Sequence, residues 1–174
     1  IGEIGISHHY NMLTCKKLLD TSVHCGCNPV KFQRWHLNKV YTQNFLNSRR
    51  ESPWRTTQRE QQHGVEYGID DYREIDQYSR EKNIEWYASA WDLNSQQFLQ
   101  QFNCKYEKVA TAMIVYEDLL RMIAKEGKHS FISTGMTTYD DIQRAVDIFI
   151  EEKCSFELMH TISAYPMIDE NANL

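Results

Sequence analysis

The sequence predicts an α/β fold, part of a TIM (β/α)8 barrel with about six βα units. Three observations lead there. Short apolar strands alternate with amphipathic helices along the chain, which implies parallel strands joined by right-handed crossovers. No GxGxxG or GxxxxGK[ST] turn marks an open nucleotide-binding sheet, so the barrel is favoured. A whole barrel needs about 250 residues, and 174 are present, so an incomplete one is expected over residues 1–174 with no internal linker to a second domain.

The elements follow from spacing. Met12, Cys15, Leu19 and Val23 lie one helical turn apart, and Gly26 supplies a left-handed stop before the strand at 29–33. Tyr72, Ile75 and Tyr78 share a helical face that feeds the apolar strand at 84–89. Leu119, Leu120 and Ile123 mark the next helix, closed by Gly127 before the strand at 129–133. Ile142, Ala145, Val146, Phe149 and Ile150 form the clearest stripe, with Thr138 and Asp141 spaced as a capping box at its start. Strands at 1–6, 106–110 and 156–161 complete a set of six. Residues 34–68 break the rhythm, being far longer than the about 2–6 residues of a βα connection, and are expected to cover the catalytic face.

Composition narrows the partners. With 41% hydrophobic and 25% charged residues, the chain has the make-up of an ordinary globular domain. Its formal charge of -5 argues against nucleic acid, the only local basic cluster being Arg49, Arg50, Arg55 and Arg59 diluted by Glu51 and Glu60. No apolar run approaches the roughly 18 residues of a membrane span, so no membrane partner is expected and the expected setting is the cytoplasm. The five cysteines are unevenly spaced without a CxxC pair and read as reduced thiols. Cys25 and Cys27 form one knuckle where zinc sites usually pair two. His8 and His9, adjacent on a strand, point to opposite faces, and no metal ligand is assigned within the chain.

In parallel barrels the chemistry lies at the carboxyl ends of the strands. Those ends carry Glu3, Ser7 and His8; Lys31 and Gln33; Ser89, Trp91 and Asp92; Lys108 and Thr111; Ser133 and Thr134; and His160, Ser163 and Tyr165. Two lysines, a carboxylate, an amide and several hydroxyls suit a small, multiply anionic, oxygen-rich ligand such as a phosphorylated acid. The Ser133-Thr134-Gly135 turn ahead of a helix adds the expectation that helix-start N–H groups help to hold phosphate oxygens.

Four stretches, "IGEIGISHHYNMLTCKKLLDTSVHCGCNPVKFQ", "YASAWDLNSQQFL", "FISTGMTTYDDI" and "MHTISAYPMIDENANL", resemble the sialic acid (N-acetylneuraminate) synthase family in order and spacing, over essentially the whole chain. The resemblance implies a transferase that joins phosphoenolpyruvate to an N-acetylated amino sugar, N-acetylmannosamine or a relative, with release of phosphate. It implies a homodimer, a divalent metal (Mn or Mg) and a C-terminal sugar-clamping, antifreeze-like domain that these residues do not contain. By resemblance Glu3 is the acid near the enolpyruvate. Lys31, Ser89, Lys108, Thr111, Ser133 and Ser163 bind phosphoenolpyruvate, with Lys31 on its carboxylate and Lys108 on its phosphate; Gln33 and Tyr165 bind the sugar.

The pattern also departs from the family. The usual NHNG reads Ser7-His8-His9-Tyr10, Met113 stands where a glutamate is common, and Ala110 and Ala112 replace glycines. A thioether takes no proton, so that acid's role is lost or moved. The family's two metal-binding histidines fall beyond Leu174, and these residues alone are expected to be inactive. Two other readings use the same anion site: an aldolase-like lyase on the same barrel, and a non-catalytic domain that binds a phosphorylated sugar.

Overall fold

The computed structural model describes residues 1–52, 55–63, 66–164 and 166–173. The chain divides into two compact units, Ile1–Lys105 and Tyr106–Leu174.

In the first unit, strands β1 (Gly2–Gly5), β2 (Val30–Arg34) and β5 (Trp86–Ala90) run parallel in that order, with Glu3 opposite Lys31 and Gln33 opposite Ser89. Helix α1 (Met12–His24) is started by the Asn11 side chain, which accepts from the Thr14 N–H, and ends before Gly26 at φ 73°, the left-handed stop expected from its position. Helix α5 (Ile69–Glu81) buries Tyr72, Ile75 and Ser79, and the Asp71 carboxylate accepts the Gly68 N–H at 2.8 Å. Helix α6 (Leu93–Leu99), which the sequence reading left out, begins where Asp92 accepts the Ser95 N–H. Period-two alternation sorts the strand residues. Val30, Phe32 and Trp86 pack with the helices, Phe32 edge-on to Trp86 at 6.1 Å, which leaves Lys31, Gln33 and Ser89 on the opposite face.

Residues 34–68 are not a plain loop. They hold helices α2 (Leu37–Val40) and α3 (Gln43–Asn47), an antiparallel hairpin of β3 (Arg49–Ser52) and β4 (Arg55–Thr57), and helix α4 (Gln58–His63). Trp35, Leu37 and Leu46 form a buried cluster of their own, with Val40, Tyr41 and Trp91 packed against it. The helices are too short for the periodicity that reveals an amphipathic stripe, because four to six residues make less than two turns.

In the second unit, β6 (Tyr106–Val109), β7 (His129–Ser133) and β8 (Phe156–Met159) are parallel in that order, with Lys108 opposite Phe131 and Ser133 opposite Met159. Helix α7 (Glu117–Lys125) buries Leu119, Leu120, Ile123 and Ala124, and Gly127 follows at φ 68°. Helix α8 (Tyr139–Glu151) has the expected capping box, Thr138 Oγ1 accepting from the Asp141 N–H at 3.2 Å and Asp141 from the Thr138 N–H at 3.0 Å. All six strands expected from the sequence are present.

Because Leu46 is wholly buried within the cluster of the 34–68 segment, Leu46→Ala should cost roughly 2–5 kcal/mol there. Hydrogen exchange should show faster amides in α2 and α3 and unchanged protection in β2 and β5. Equal loss across all four elements would mean that the segment has no separate core.

Candidate active site

Both strand-borne lysines are buried, and the backbone places each in the same way. Lys31 pairs in register with Tyr87, yet its Nζ reaches Ser89 Oγ at 3.2 Å, two residues further toward the carboxyl end of β5. In the second unit Lys108 pairs with Phe131, and its Nζ reaches Ser133 Oγ, again two residues further along the next strand. Each ammonium also donates to the carbonyl of its own next residue, Phe32 at 3.4 Å and Val109 at 2.7 Å. The four-carbon stems thus lie along the sheet and deliver the charge to the strand ends.

Around Lys31 the first unit gathers the predicted residues Glu3, Gln33 and Ser89. Glu3 Oε2 lies 2.9 Å from the Lys31 ammonium, and the Glu3 side chain is half exposed whereas that of Lys31 is buried. A buried ammonium with three donors thereby meets a carboxylate, a hydroxyl and a carbonyl, which offsets its desolvation. Gly5, at φ 51°, sits beneath this group: a Cβ there would stand 2.9 Å from Glu3 Oε1 and 3.5 Å from Gln33 Nε2.

In the second unit Lys108 holds Ser133, and Thr111 and Ser163 gather at Gly135, two residues further on. A Cβ on Gly135 would lie 2.6 Å from Ser163 Oγ and 3.3 Å from the Thr111 methyl, so both side chains converge on the turn that follows Ser133. Ser133 and Lys108 are buried, Thr111 half-buried and Ser163 exposed, a gradient that runs from the ammonium outward. The helix-start N–H groups expected at this turn are not there. Helix α8 begins only at Tyr139, four residues past Gly135, and its Asp141 amide is engaged by its own capping box. Met113, in the 3-10 turn Thr111–Met113, is half-buried. Tyr165 lies outside the described residues.

Other strand-end residues have structural duties. His8 is buried, stacks on Tyr67 with ring centroids 4.1 Å apart, and accepts the Tyr10 N–H through Nδ1 at 3.1 Å. Burial, then the nearby His9, pushes its imidazole down to about 4, so it is neutral near pH 7. Asp92 accepts from the His36 N–H at 2.6 Å and from Ser95. His160 Nε2 lies 2.7 Å from the Ala172 carbonyl oxygen. All five cysteines are free, and burial pushes the Cys15 thiol up to about 12, where it is inert. Among the described residues no group of three or more His, Cys, Asp or Glu side chains could hold a metal.

Sequence reasoning missed Arg34. Its guanidinium donates to Glu66 Oε1 at 2.5 Å and to the Tyr67 carbonyl at 2.6 Å, and stacks 3.7 Å from the Phe98 ring centroid. Together with the Asp92 contact to His36, this clamps both ends of the 34–68 segment onto β2 and β5. Burial pushes the Glu66 carboxyl up to about 7; Arg34 pulls it down and Asp92 adds to the rise. Nothing in the local spacing could reveal a pair separated by 32 residues.

Comparison with known proteins accords with this geometry. The NeuB family profile matches residues 18–174. The chain belongs to the NeuB family. It is 30% identical to the N-acetylneuraminate-9-phosphate synthases of Drosophila melanogaster and Mus musculus, over 100% of this chain and 48% and 49% of theirs. This NeuB-family chain therefore spans about half the length of the curated relatives it matches. The N-acetylneuraminic acid (sialic acid) synthetase of Leptospira borgpetersenii superposes with a TM-score of 0.86 at 24% identity, covering 99% of this chain and 56% of that one. The α/β fold, a partial (β/α)8 barrel, is thus shown. No described helix is long and apolar enough to cross a membrane.

The shifted His8 and Glu66 act on stability in opposite senses over nearly one pH window. His8 titrates at about 4 when folded and 6.5 otherwise, so its contribution is complete above pH 6.5 and is lost as pH falls to about 4. Glu66 titrates at about 7 against 4.5, so its contribution is complete below pH 4.5 and is lost as pH rises to about 7. Urea midpoints measured across this range should show His8→Phe removing the loss on acidification and Glu66→Gln removing the loss on alkalinisation, each worth up to roughly 3 kcal/mol. Curves parallel to wild type would contradict both assignments.

Proposed function

We propose that the protein is an enzyme of nonulosonic (sialic-type) acid synthesis that joins phosphoenolpyruvate to an N-acetylated amino sugar, N-acetylmannosamine or a relative. The observation that carries this reading is the buried Lys108–Ser133 pair with Thr111 and Ser163 converging beside it. A cation and the hydroxyls of Ser133 and Ser163 about one turn suit the tetrahedral oxygens of a phosphate group, since charge-assisted bonds are the strong ones. Family membership and the synthase relatives support the same chemistry.

In this reading Lys108, Ser133, Thr111 and Ser163 hold the phosphate, whereas Lys31 and Ser89 hold the enolpyruvate carboxylate. Gln33 and Tyr165 contact the sugar. The methylene carbon of phosphoenolpyruvate forms a bond to the aldehyde carbon of the sugar, water adds to the resulting cationic centre, and phosphate departs. Glu3 stabilises that centre. Because Glu3 already pairs with Lys31, an incoming carboxylate competes for the same ammonium, and the half-exposed Glu3 is the partner free to turn toward the reacting carbon. A divalent metal, Mn or Mg, would polarise the sugar aldehyde. The described residues supply no ligand set for it, His8 being stacked and buried and Glu3 paired to Lys31, and by the family resemblance its histidine ligands fall beyond Leu174. Work in the cytoplasm as a homodimer completes the proposal.

Titration calorimetry on the full-length protein tests the assignments. Lys108→Ala should weaken both inorganic phosphate and phosphoenolpyruvate by roughly ten- to a hundred-fold, because a lost charge-assisted contact costs about 1.5–3 kcal/mol. Lys31→Ala should weaken only phosphoenolpyruvate, inorganic phosphate having no carboxylate. Equal phosphate affinity in wild type and Lys108→Ala would remove Lys108 from the phosphate site.

A further inference from the structure

We propose that Gly135 is a positioning residue whose missing side chain sets the place of the Ser163 hydroxyl beside the Lys108–Ser133 pair. The inference rests on reading that pair as the phosphate subsite.

Glycine is commonly kept in a turn for its conformational freedom, and here that reason fails. Gly135 does not have φ in the left-handed region. The left-handed position belongs to the next residue, Met136, at φ 53°, where a side chain is tolerated and points to solvent. Had backbone shape alone chosen the glycine, it would stand one residue later. Gly135 is instead where space runs out. A Cβ there would be 2.6 Å from Ser163 Oγ and 2.8 Å from the Thr161 carbonyl oxygen, both inside the 3.0 Å that real Cβ contacts respect.

The two collisions differ in kind. The serine hydroxyl can rotate away, but the Thr161 carbonyl belongs to a backbone that is fastened down. Thr134 donates both its N–H and its hydroxyl to the Met159 carbonyl, each at 3.1 Å, and the Thr161 hydroxyl donates to the same oxygen at 3.0 Å. The Thr137 hydroxyl donates to the Thr134 carbonyl at 2.7 Å, closing the turn from the other side. The turn after β7 and the exit from β8 are thereby tied at Met159, and only a hydrogen at position 135 lets them close fully. Closure brings Ser163 against the point that also meets the Thr111 methyl. A methyl at 135 would lever residues 161–163 outward and carry the Ser163 hydroxyl away from the ammonium side of the turn.

Calorimetry on the full-length protein distinguishes this from general support of the fold, with two probes: inorganic phosphate, and pyruvate, which has the carboxylate and no phosphate. Gly135→Ala should weaken phosphate roughly tenfold, as expected for a lost hydrogen bond with local disorder, and leave pyruvate unchanged. Ser163→Ala should weaken phosphate to a similar or smaller degree. The double variant should bind no more weakly than Gly135→Ala, since both changes remove one contact. Wild-type phosphate affinity in Gly135→Ala, losses that multiply in the double variant, or a parallel loss of pyruvate would each overturn the inference. Should Gly135→Ala not fold, Ser163→Ala decides: weakened phosphate binding with pyruvate unchanged supports the proposal, and wild-type phosphate affinity refutes it. Lys108→Ala separates the two levels. If it leaves phosphate binding intact, the subsite reading falls; if it weakens phosphate and Gly135→Ala does not, only the role of Gly135 falls.

Discussion

A lysine ammonium buried on a parallel strand must find oxygen partners or lose its charge, and this demand organises both units. Lys31 and Lys108 meet it in one way, by leaning along the strand to a serine two residues beyond register and to the carbonyl of the following residue. The direction of that lean is not optional. Side chains that alternate on a strand leave one face for the helices, filled here by Val30, Phe32 and Trp86, so the lysines occupy the other and extend toward the strand ends. The strand ends are then both the place where the charge is solvated and the place where an anion would find it.

The two clusters differ in what surrounds the ammonium. Lys31 is neutralised by Glu3, whose exposed carboxylate can be exchanged for that of a ligand. Lys108 donates to the Ser133 hydroxyl and the Val109 carbonyl, and the Thr111 and Ser163 side chains converge on Gly135, two residues past Ser133.

The 34–68 segment shows how an excursion from a barrel is kept ordered. It carries a small core of Trp35, Leu37 and Leu46, and its two ends are fixed by polar clamps, His36 to Asp92 and Glu66 to Arg34. The Arg34 guanidinium is held flat against Phe98 while it donates to Glu66 and Tyr67. Burial costs the Glu66 carboxylate solvation, which is why its clamp to Arg34 is sensitive to proton uptake near neutrality. Gln33, the residue before Arg34, lies on the opposite face, so the clamp borders a proposed sugar contact without sharing its side of the sheet.

The sequence by itself determined the six strands and the long helices, because alternation and the helical stripe are local properties that need no knowledge of what packs where. It also determined the stops at Gly26 and Gly127 and the capping box of α8, each a short-range hydrogen-bonding or φ requirement. The candidate residues Glu3, Lys31, Gln33, Ser89, Lys108, Thr111, Ser133 and Ser163 stand at strand ends and in the family-like stretches, which is what singles them out in the sequence. Only the tertiary structure decided that Ser89 and Ser133 serve the lysines diagonally, since register between strands is not written in either strand alone. It alone turned residues 34–68 from a loop into a small structured insertion, whose helices are too short to show a period. It moved the helix-start N–H groups away from Ser133, set His8 in a stack on Tyr67, and gave Gly135 its purpose, for a glycine kept for space looks in sequence the same as one kept for its turn.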